Sequence, residues 1–199
     1  MTIDRRRSDL PDQQRTRDDV VRAAGRLFAE RGFHGTSMRH LGNELGLLGS
    51  SLYSHVSGKD ELLVAVVSGG AVLFQALADE VLASDLDPPG QLRMLVEGHV
   101  AIVADNLAEA RTILNEARFL PDSARSPIVA MRDRYQAAVR LVIERGVDRG
   151  DFTVADPRLA AILVLSVLNA FERWFRPDGT RTPKELAADM YRFVLGGLR

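Results

Sequence analysis

Cysteine is absent from the 199 residues, which excludes disulfides, thiolate metal sites and cysteine nucleophiles in one step. Long apolar runs are missing too. The longest candidate, Leu159 to Phe171, is interrupted by Ser166 and Asn169 and falls short of the roughly 18 apolar residues that a membrane-spanning helix requires. The first twenty residues contain Arg5-Arg6-Arg7 with no apolar stretch behind them, so no secretion signal is expected and the expectation is a cytoplasmic protein with no membrane partner. An excess of either charge sign is also lacking, because the formal net charge is -1 and residues 1–62 are close to balance. Bulk attraction to a polyanion is therefore weak, and any nucleic-acid partner has to be argued from the placement of particular groups.

Catalytic constellations are missing as well. The four histidines, His34, His40, His55 and His99, form no H-E-x-x-H pair and have no zinc-ligand spacing. No G-x-S-x-G nucleophile elbow occurs. Gly58-Lys59 is followed by Asp60 and position 53 is Tyr, which excludes a phosphate-binding P-loop. No enzyme activity, metal site or cofactor is expected. Internal repeats, low-complexity tracts and two-residue hydrophobic alternation are all absent.

What is present is helical periodicity. Hydrophobic residues make up 46% of the chain and charged residues 27%, so it can bury a core and stay in solution. Residues 1–14 read as a mobile polar arm. A first helix carries Val20, Ala24, Leu27 and Phe28 on one face and stops at Gly32. Ser37 caps a short second helix with Met38, Leu41 and Leu45 inward, and Gly46 ends it. A third spans about Ser50 to His55, and a long fourth opens at Gly58-Lys59 and runs to the break at Asp87-Pro88-Pro89-Gly90. Later helices hold Leu92 to Val103, Arg111 to Phe119, and a stretch starting near Pro127 whose end Gly146 and Gly150 loosen. Asp156-Pro157 opens an apolar helix to about Phe175, and Thr182-Pro183 opens the last. The reading is an all-α chain of about nine helices, with a flexible arm at 1–14, a small helical unit at 15–62 and a larger one at 63–199.

Residues 36–62 meet the steric requirements of a helix-turn-helix. Leu41 and Leu45 face the second helix, Gly42 sits where the helices cross, and Gly46 supplies the positive φ of the turn. Leu47 plugs the turn and Leu52 anchors the second helix, leaving Ser50, Ser51 and Ser54 free to face a major groove.

The run from Gly46 through L-Y-S-H-V-S-G-K-D-E-L to Leu62 resembles the DNA-binding signature of the tetracycline-repressor (TetR/AcrR) family. The preceding pattern of Ala24, Leu27, Phe28, Glu30, Gly32, Phe33, Thr36 and Ser37 is similar to that family's first helix. Val56 departs from the usual aromatic, and Gly49 stands where a DNA-contacting side chain is common. The resemblance implies phosphate contacts from Tyr53 and Lys59, the latter at a helix N-terminus that favours anions. It also implies a phosphate contact from Ser37 and a groove-facing surface of Gly49, Ser50, Ser51, Ser54 and His55. Outside the motif, Tyr53 reads as a half-buried packing residue and Arg5–Arg7 as a solvated tail; within it, the arm also has a minor-groove reading.

The resemblance makes residues 15–62 the DNA-binding domain and residues 63–199 the ligand-binding and dimerisation domain, with a cavity among the middle helices and a four-helix dimer interface. Candidate cavity residues are Phe74, His99, Phe119, Met131, Tyr135, Asn169 and Phe171. His99 and Asn169 interrupt apolar faces, and each has two readings, a bond to an effector or a bond to backbone or water. Ile162, Leu163, Trp174, Met190 and Phe193 are candidates for the interface. The helix from Leu159 is apolar on more than one face, which a homodimer or a central position in a monomer would each cover. Gly146 to Phe152 and the tail from Trp174 resemble the branch regulating fatty-acid and steroid catabolism, which implies a lipid-like or acyl-coenzyme A effector. The function implied is a transcriptional repressor that binds a double-stranded DNA operator and is released by a small molecule. A purely structural helical bundle is the rival, but it leaves the Gly46–Lys59 pattern as coincidence.

Overall fold

A computed structural model describes residues 16–199 of the chain; the arm expected at residues 1–14, with Arg5–Arg7, lies outside them. Nine α-helices and one 3-10 turn make up the regular structure of the described residues, with no strand among them. The first is α1 (Arg17–Gly35), started by a reciprocal cap in which the Thr16 hydroxyl accepts from the Asp19 N–H and the Asp19 carboxylate accepts from the Thr16 N–H. It bends at Gly32, where φ is 73°, so the expected stop is a kink followed by one more turn. α2 (Met38–Leu45) lies between the Ser37 cap and Gly46, and α3 (Gly49–Tyr53) follows. The rest are α4 (Lys59–Ala83), α5 (Pro88–Asp105), α6 (Leu107–Glu116) continued by the 3-10 turn Ala117–Phe119, α7 (Asp122–Arg149), α8 (Pro157–Trp174) and α9 (Pro183–Leu198).

Proline is where the fold differs most from the periodicity reading. Pro88 and Pro89 do not stand in a break. They form the first turn of α5, with the Asp87 carboxylate accepting from the Gly90 N–H at 2.9 Å, because a missing N–H is harmless in a first turn. Pro127 does not open α7; it lies inside a helix that begins at Asp122. Gly146 does not loosen the end of α7 either. The Phe152 ring is fully buried against it, and a Cβ at that position would overlap the ring. Gly150, with φ 81°, is the left-handed cap that ends the helix.

Two apolar cores form. One joins Val20, Ala24, Leu27 and Phe28 of α1 to Leu41, Leu45 and Leu52 of the helix-turn-helix, with Val56 and the start of α4. The other collects α4's second half, α5, and α7 to α9. α4 serves both, giving Leu62, Leu63, Val66 and Val67 to the first and Leu77, Ala78 and Val81 to the second. Among the described residues α4, and not the Leu159 segment, is the one helix long and apolar enough to cross a membrane by length and composition. α6 packs along α1 and delivers Ile113, Ala117, Phe119 and Leu120 to the first core.

The contact between Gly146 and Phe152 is testable. Gly146→Ala should lower the unfolding free energy by about 1–3 kcal/mol through overpacking, read from the urea midpoint. An unchanged midpoint would mean that the ring has room the packing does not show.

Candidate nucleic-acid interface and internal cavity

The helix-turn-helix is assembled by local chemistry. The Ser37 hydroxyl accepts from the His40 N–H at 3.2 Å, and His40 Nδ1 accepts from the Ser37 N–H at 3.3 Å. His40 thus fills the place that Glu or Gln takes in the usual capping box. At the other end Gly46 adopts φ 68°, ψ 24°, and its N–H returns to the Asn43 and Gly42 carbonyls. A Cβ on Gly42 would stand 3.0 Å from the Leu47 carbonyl oxygen, which is why the crossing needs the smallest residue. Leu52 and Val56 are buried beneath, so valine in place of the usual aromatic still seals the core.

What remains outside is the candidate DNA surface. Tyr53 is 57% exposed, so the packing alternative for its ring does not hold. Ser50 and Ser54 are exposed, Ser51 and His55 half-buried, and the Ser54 hydroxyl donates to the Ser51 carbonyl. Gly49 opens α3 without a side-chain cap before it. Leu48, next to it, is 78% exposed and was not singled out by periodicity. An exposed apolar side chain has the chemistry to meet a thymine methyl.

Lys59 has a second occupation. Its ammonium donates to the carbonyls of Phe33 at 2.8 Å and Thr36 at 2.9 Å and lies 4.2 Å from the Phe33 ring centroid. The side chain therefore ties the end of α1 to the start of α4. Opposite it, the Phe33 N–H donates to the Glu116 carboxylate of α6 at 2.7 Å, a contact that no pattern in the sequence announces. Thr36, buried, donates to the Leu27 and Gly32 carbonyls. These bonds give Lys59 a structural role beside the phosphate contact that the resemblance implies.

Of the seven candidate cavity residues, five converge. Phe74, His99, Met131, Tyr135 and Asn169 line a cavity of 470 Å³ between α4, α5, α6, α7 and α8, within the usual range of about 300–1,000 Å³ for small-molecule sites. The other two lie elsewhere. Phe119 stacks on Phe33 and packs against the first core. Phe171 is buried in the second core, stacked on Phe175. The cavity also takes in Ile113, Ala117, Leu120 and Ile128, residues that pack against or within the helix-turn-helix core. A larger groove of 680 Å³ between α1, α6 and α8 is open and polar, with buried Glu172 held by Arg111 and Asn115.

The candidate interface residues divide similarly. Ile162, Leu163 and Trp174 of α8 are exposed, Leu163 by 58%, and Phe193 of α9 by 70%. Met190 is only 8% exposed and belongs to the second core, because α9 turns it inward toward α5. Leu159, 52% exposed, extends the apolar face.

Comparison with known proteins places these features in a family context. A model described as bacterial regulatory proteins of the tetR family matches residues 20–66, and one described as a tetracyclin repressor-like C-terminal domain matches residues 85–198. The HTH-type transcriptional repressor KstR2 of Mycobacterium tuberculosis (strain CDC 1551 / Oshkosh) is 26% identical over 187 residues, 92% of each chain. Among solved structures, the TetR family transcriptional regulator PfmR from Thermus thermophilus superposes with a TM-score of 0.83 at 33% identity, over 90% of this chain and 98% of that one. AibR in complex with isovaleryl coenzyme A and operator DNA gives 0.80 at 26% identity, over 89% and 96%.

Two outcomes follow from the side-chain environments. Lys59→Ala should lower stability by about 1–3 kcal/mol, the range for hydrogen bonds to a charged group, whereas Tyr53→Ala should leave the urea midpoint unchanged; equal midpoints would remove the structural role of Lys59. The second outcome concerns His99, whose burial pushes its pKa down to about 3 from an ordinary value near 6.5. Between those values the unfolded chain holds a proton that the folded chain lacks. The contribution is full above about 6.5 and is lost as pH falls, on the order of 1 kcal/mol per pH unit. Thermal melts at about pH 7.5 and about pH 5 should show this loss, and His99→Leu should flatten it.

Proposed function

The chain belongs to the tetracycline-repressor family of DNA-binding transcriptional regulators, and from that premise we propose that it works as a homodimeric repressor released from its operator by a small-molecule effector. The observation that carries this reading is the shared wall. Ile113, Ala117, Leu120 and Ile128 face the cavity and also pack on the helix-turn-helix core, so a molecule filling the cavity presses on the groups that position the DNA-reading head. An effector shifts the balance only as far as its affinities for the two arrangements differ, and a wall common to both units provides that difference.

Each named residue has a role in this reading. Tyr53 and the α4 N-terminus at Lys59 grip phosphates, together with Ser37, while Gly49, Ser50, Ser51, Ser54 and His55, joined by Leu48, face the groove. The working division between head and body falls within α4, close to residue 62. The exposed apolar face of Leu159, Ile162, Leu163, Trp174 and Phe193 supports a second copy as its cover, and two heads on successive major grooves then stand about 34–36 Å apart. The effector class is lipid-like or acyl-coenzyme A, supported by AibR, described with isovaleryl coenzyme A and operator DNA, and by the apolar walls here. Repression follows the relative KstR2, named as a repressor.

The test is a mobility-shift assay on DNA upstream of the protein's own coding region, at fixed salt with non-specific competitor. The wild-type protein should bind that DNA specifically and elute at twice the 21.9 kDa of one chain. Tyr53→Ala should weaken binding about tenfold, the weight of one charge-assisted hydrogen bond, Phe193→Glu should give monomer, and acyl-coenzyme A thioesters should release the complex. Binding no tighter than to scrambled DNA would overturn the reading.

A further inference from the structure

The cavity contains a polar pair that its apolar walls leave unexplained, and the polarity of that pair bears on which end of an effector enters first. This step rests on the cavity being the effector site, as proposed above. His99 is fully buried, with Nδ1 3.1 Å from the Tyr135 hydroxyl, and its Nε2 has no hydrogen-bond partner among the described residues. Tyr135 is buried as well, and its hydroxyl has no recorded partner but His99.

Two proton arrangements are open to a neutral imidazole beside a phenol. If Nδ1 carries the proton and donates to the phenol oxygen, Nε2 is left as an unmet acceptor and the phenol O–H as an unmet donor. If the phenol donates to Nδ1, the ring proton sits on Nε2 and a single group is unmet. Each buried polar group left without a partner is costly, so the second arrangement prevails. Burial, which holds the imidazole pKa near 3, removes the doubly protonated alternative. His99, a residue of the cavity lining, thus carries one buried N–H donor without a partner among the described residues.

The exposed part of the lining has the opposite character. Arg118, Arg125 and Arg132 line the same cavity and are solvent-exposed. Arg125 pairs with Asp122 at 3.0 Å and Arg132 lies 4.0 Å from Asp133. Arg118 lies over the Phe119 ring and has no carboxylate partner among the described residues. The lining thus combines exposed guanidinium groups and apolar side chains with the Asn169 amide and the buried His99 donor.

We infer that the effector is an amphiphile with a carbonyl oxygen at its inner end, accepting from His99 Nε2, and an anionic group held at the arginine rim, with an apolar body between. A free carboxylate and the phosphates of a coenzyme A thioester both supply the anion. A hydrocarbon of the same length leaves the buried N–H without an acceptor and displaces any water that met it.

Calorimetric titration of the full-length protein with five probes separates these terms: decanoic acid, 9-oxodecanoic acid, methyl 9-oxodecanoate, and the coenzyme A thioesters of the two acids. The oxo form should bind about tenfold tighter than its parent in both the acid and the thioester pairs, and esterification should weaken 9-oxodecanoate several-fold. In His99→Leu the oxo preference should vanish while decanoate binding persists. Tyr135→Phe, which frees the tautomer, should reduce it, and the wild-type comparison stands even if neither variant folds. Equal binding of oxo and parent chains overturns the donor assignment, and equal binding of acid and ester overturns the arginine rim. Tighter binding of the thioesters than of the acids identifies coenzyme A as the anion source, and the reverse order identifies a free carboxylate. Failure of all five probes overturns this inference alone if another compound still releases the operator complex, and the effector reading with it if none does.

Discussion

The backbone of one residue, Phe33, ties the end of α1 to both α6 and α4. Its N–H is taken by the Glu116 carboxylate of α6, and its carbonyl by the Lys59 ammonium at the head of α4. Gly32 makes this possible, because its positive φ turns the backbone so that both groups face outward from α1. The ring of the same residue stacks on Phe119, meets Phe28 at a tilt and lies under the lysine. A charged group on the N–H and another on the carbonyl of one residue make a directional joint, since hydrogen bonds weaken steeply once misaligned. The end of α1 therefore follows α6 and α4 together or loses its bonds.

The joint gives the cavity its leverage. α6 contributes Ile113 and, through the turn that continues it, Ala117 to the cavity wall; one residue before Ala117 stands the Glu116 that grips α1. Moving a two-state equilibrium from mostly bound to mostly released takes about 5.5 kcal/mol of differential affinity. One neutral hydrogen bond, worth about 1 kcal/mol, cannot supply that. Apolar burial at roughly 25 cal/mol per Å² can, so the apolar body of an effector has to do the shifting. A polar contact at His99 then selects among bodies of similar size.

What the sequence revealed and what it hid divide by range. The Ser37 cap, the left-handed Gly46, the inward Leu41, Leu45 and Leu52 and the start of α9 at Thr182 were all legible, because each is decided within one turn of helix. The convergence of Phe74, His99, Met131, Tyr135 and Asn169 was legible only through the family resemblance, and Phe119 and Phe171 show its limit: aromatic residues suit a cavity wall and a core equally. Pro88, Pro89 and Pro127 were misread because proline is a stop in a helix interior and harmless in a first turn, and local pattern does not say which applies. Met190 and Phe193 share one helix, and only the packing of α9 on α5 decides which faces inward. The Glu116 bond to Phe33 joins residues 83 apart, and no spacing rule reaches it.

The near-neutral charge of the head constrains how it can hold DNA. Arg17, Arg22 and Arg26 of α1 are committed to Glu61, Asp19 and Glu44, which leaves Arg31 and Arg39 without carboxylate partners among the described residues. Counterion release scales with the phosphates neutralised, so one such head has a small electrostatic term and binds weakly by itself. In the proposed dimer the second head binds as an intramolecular event, and affinity grows by the effective concentration that the body imposes. That gain depends entirely on spacing, because a head displaced from its groove contributes nothing. A weakly charged head on a rigid pair is thus the arrangement in which a small movement at Phe33 has a large effect on occupancy, whereas a strongly basic head would stay on the duplex whatever its partner did.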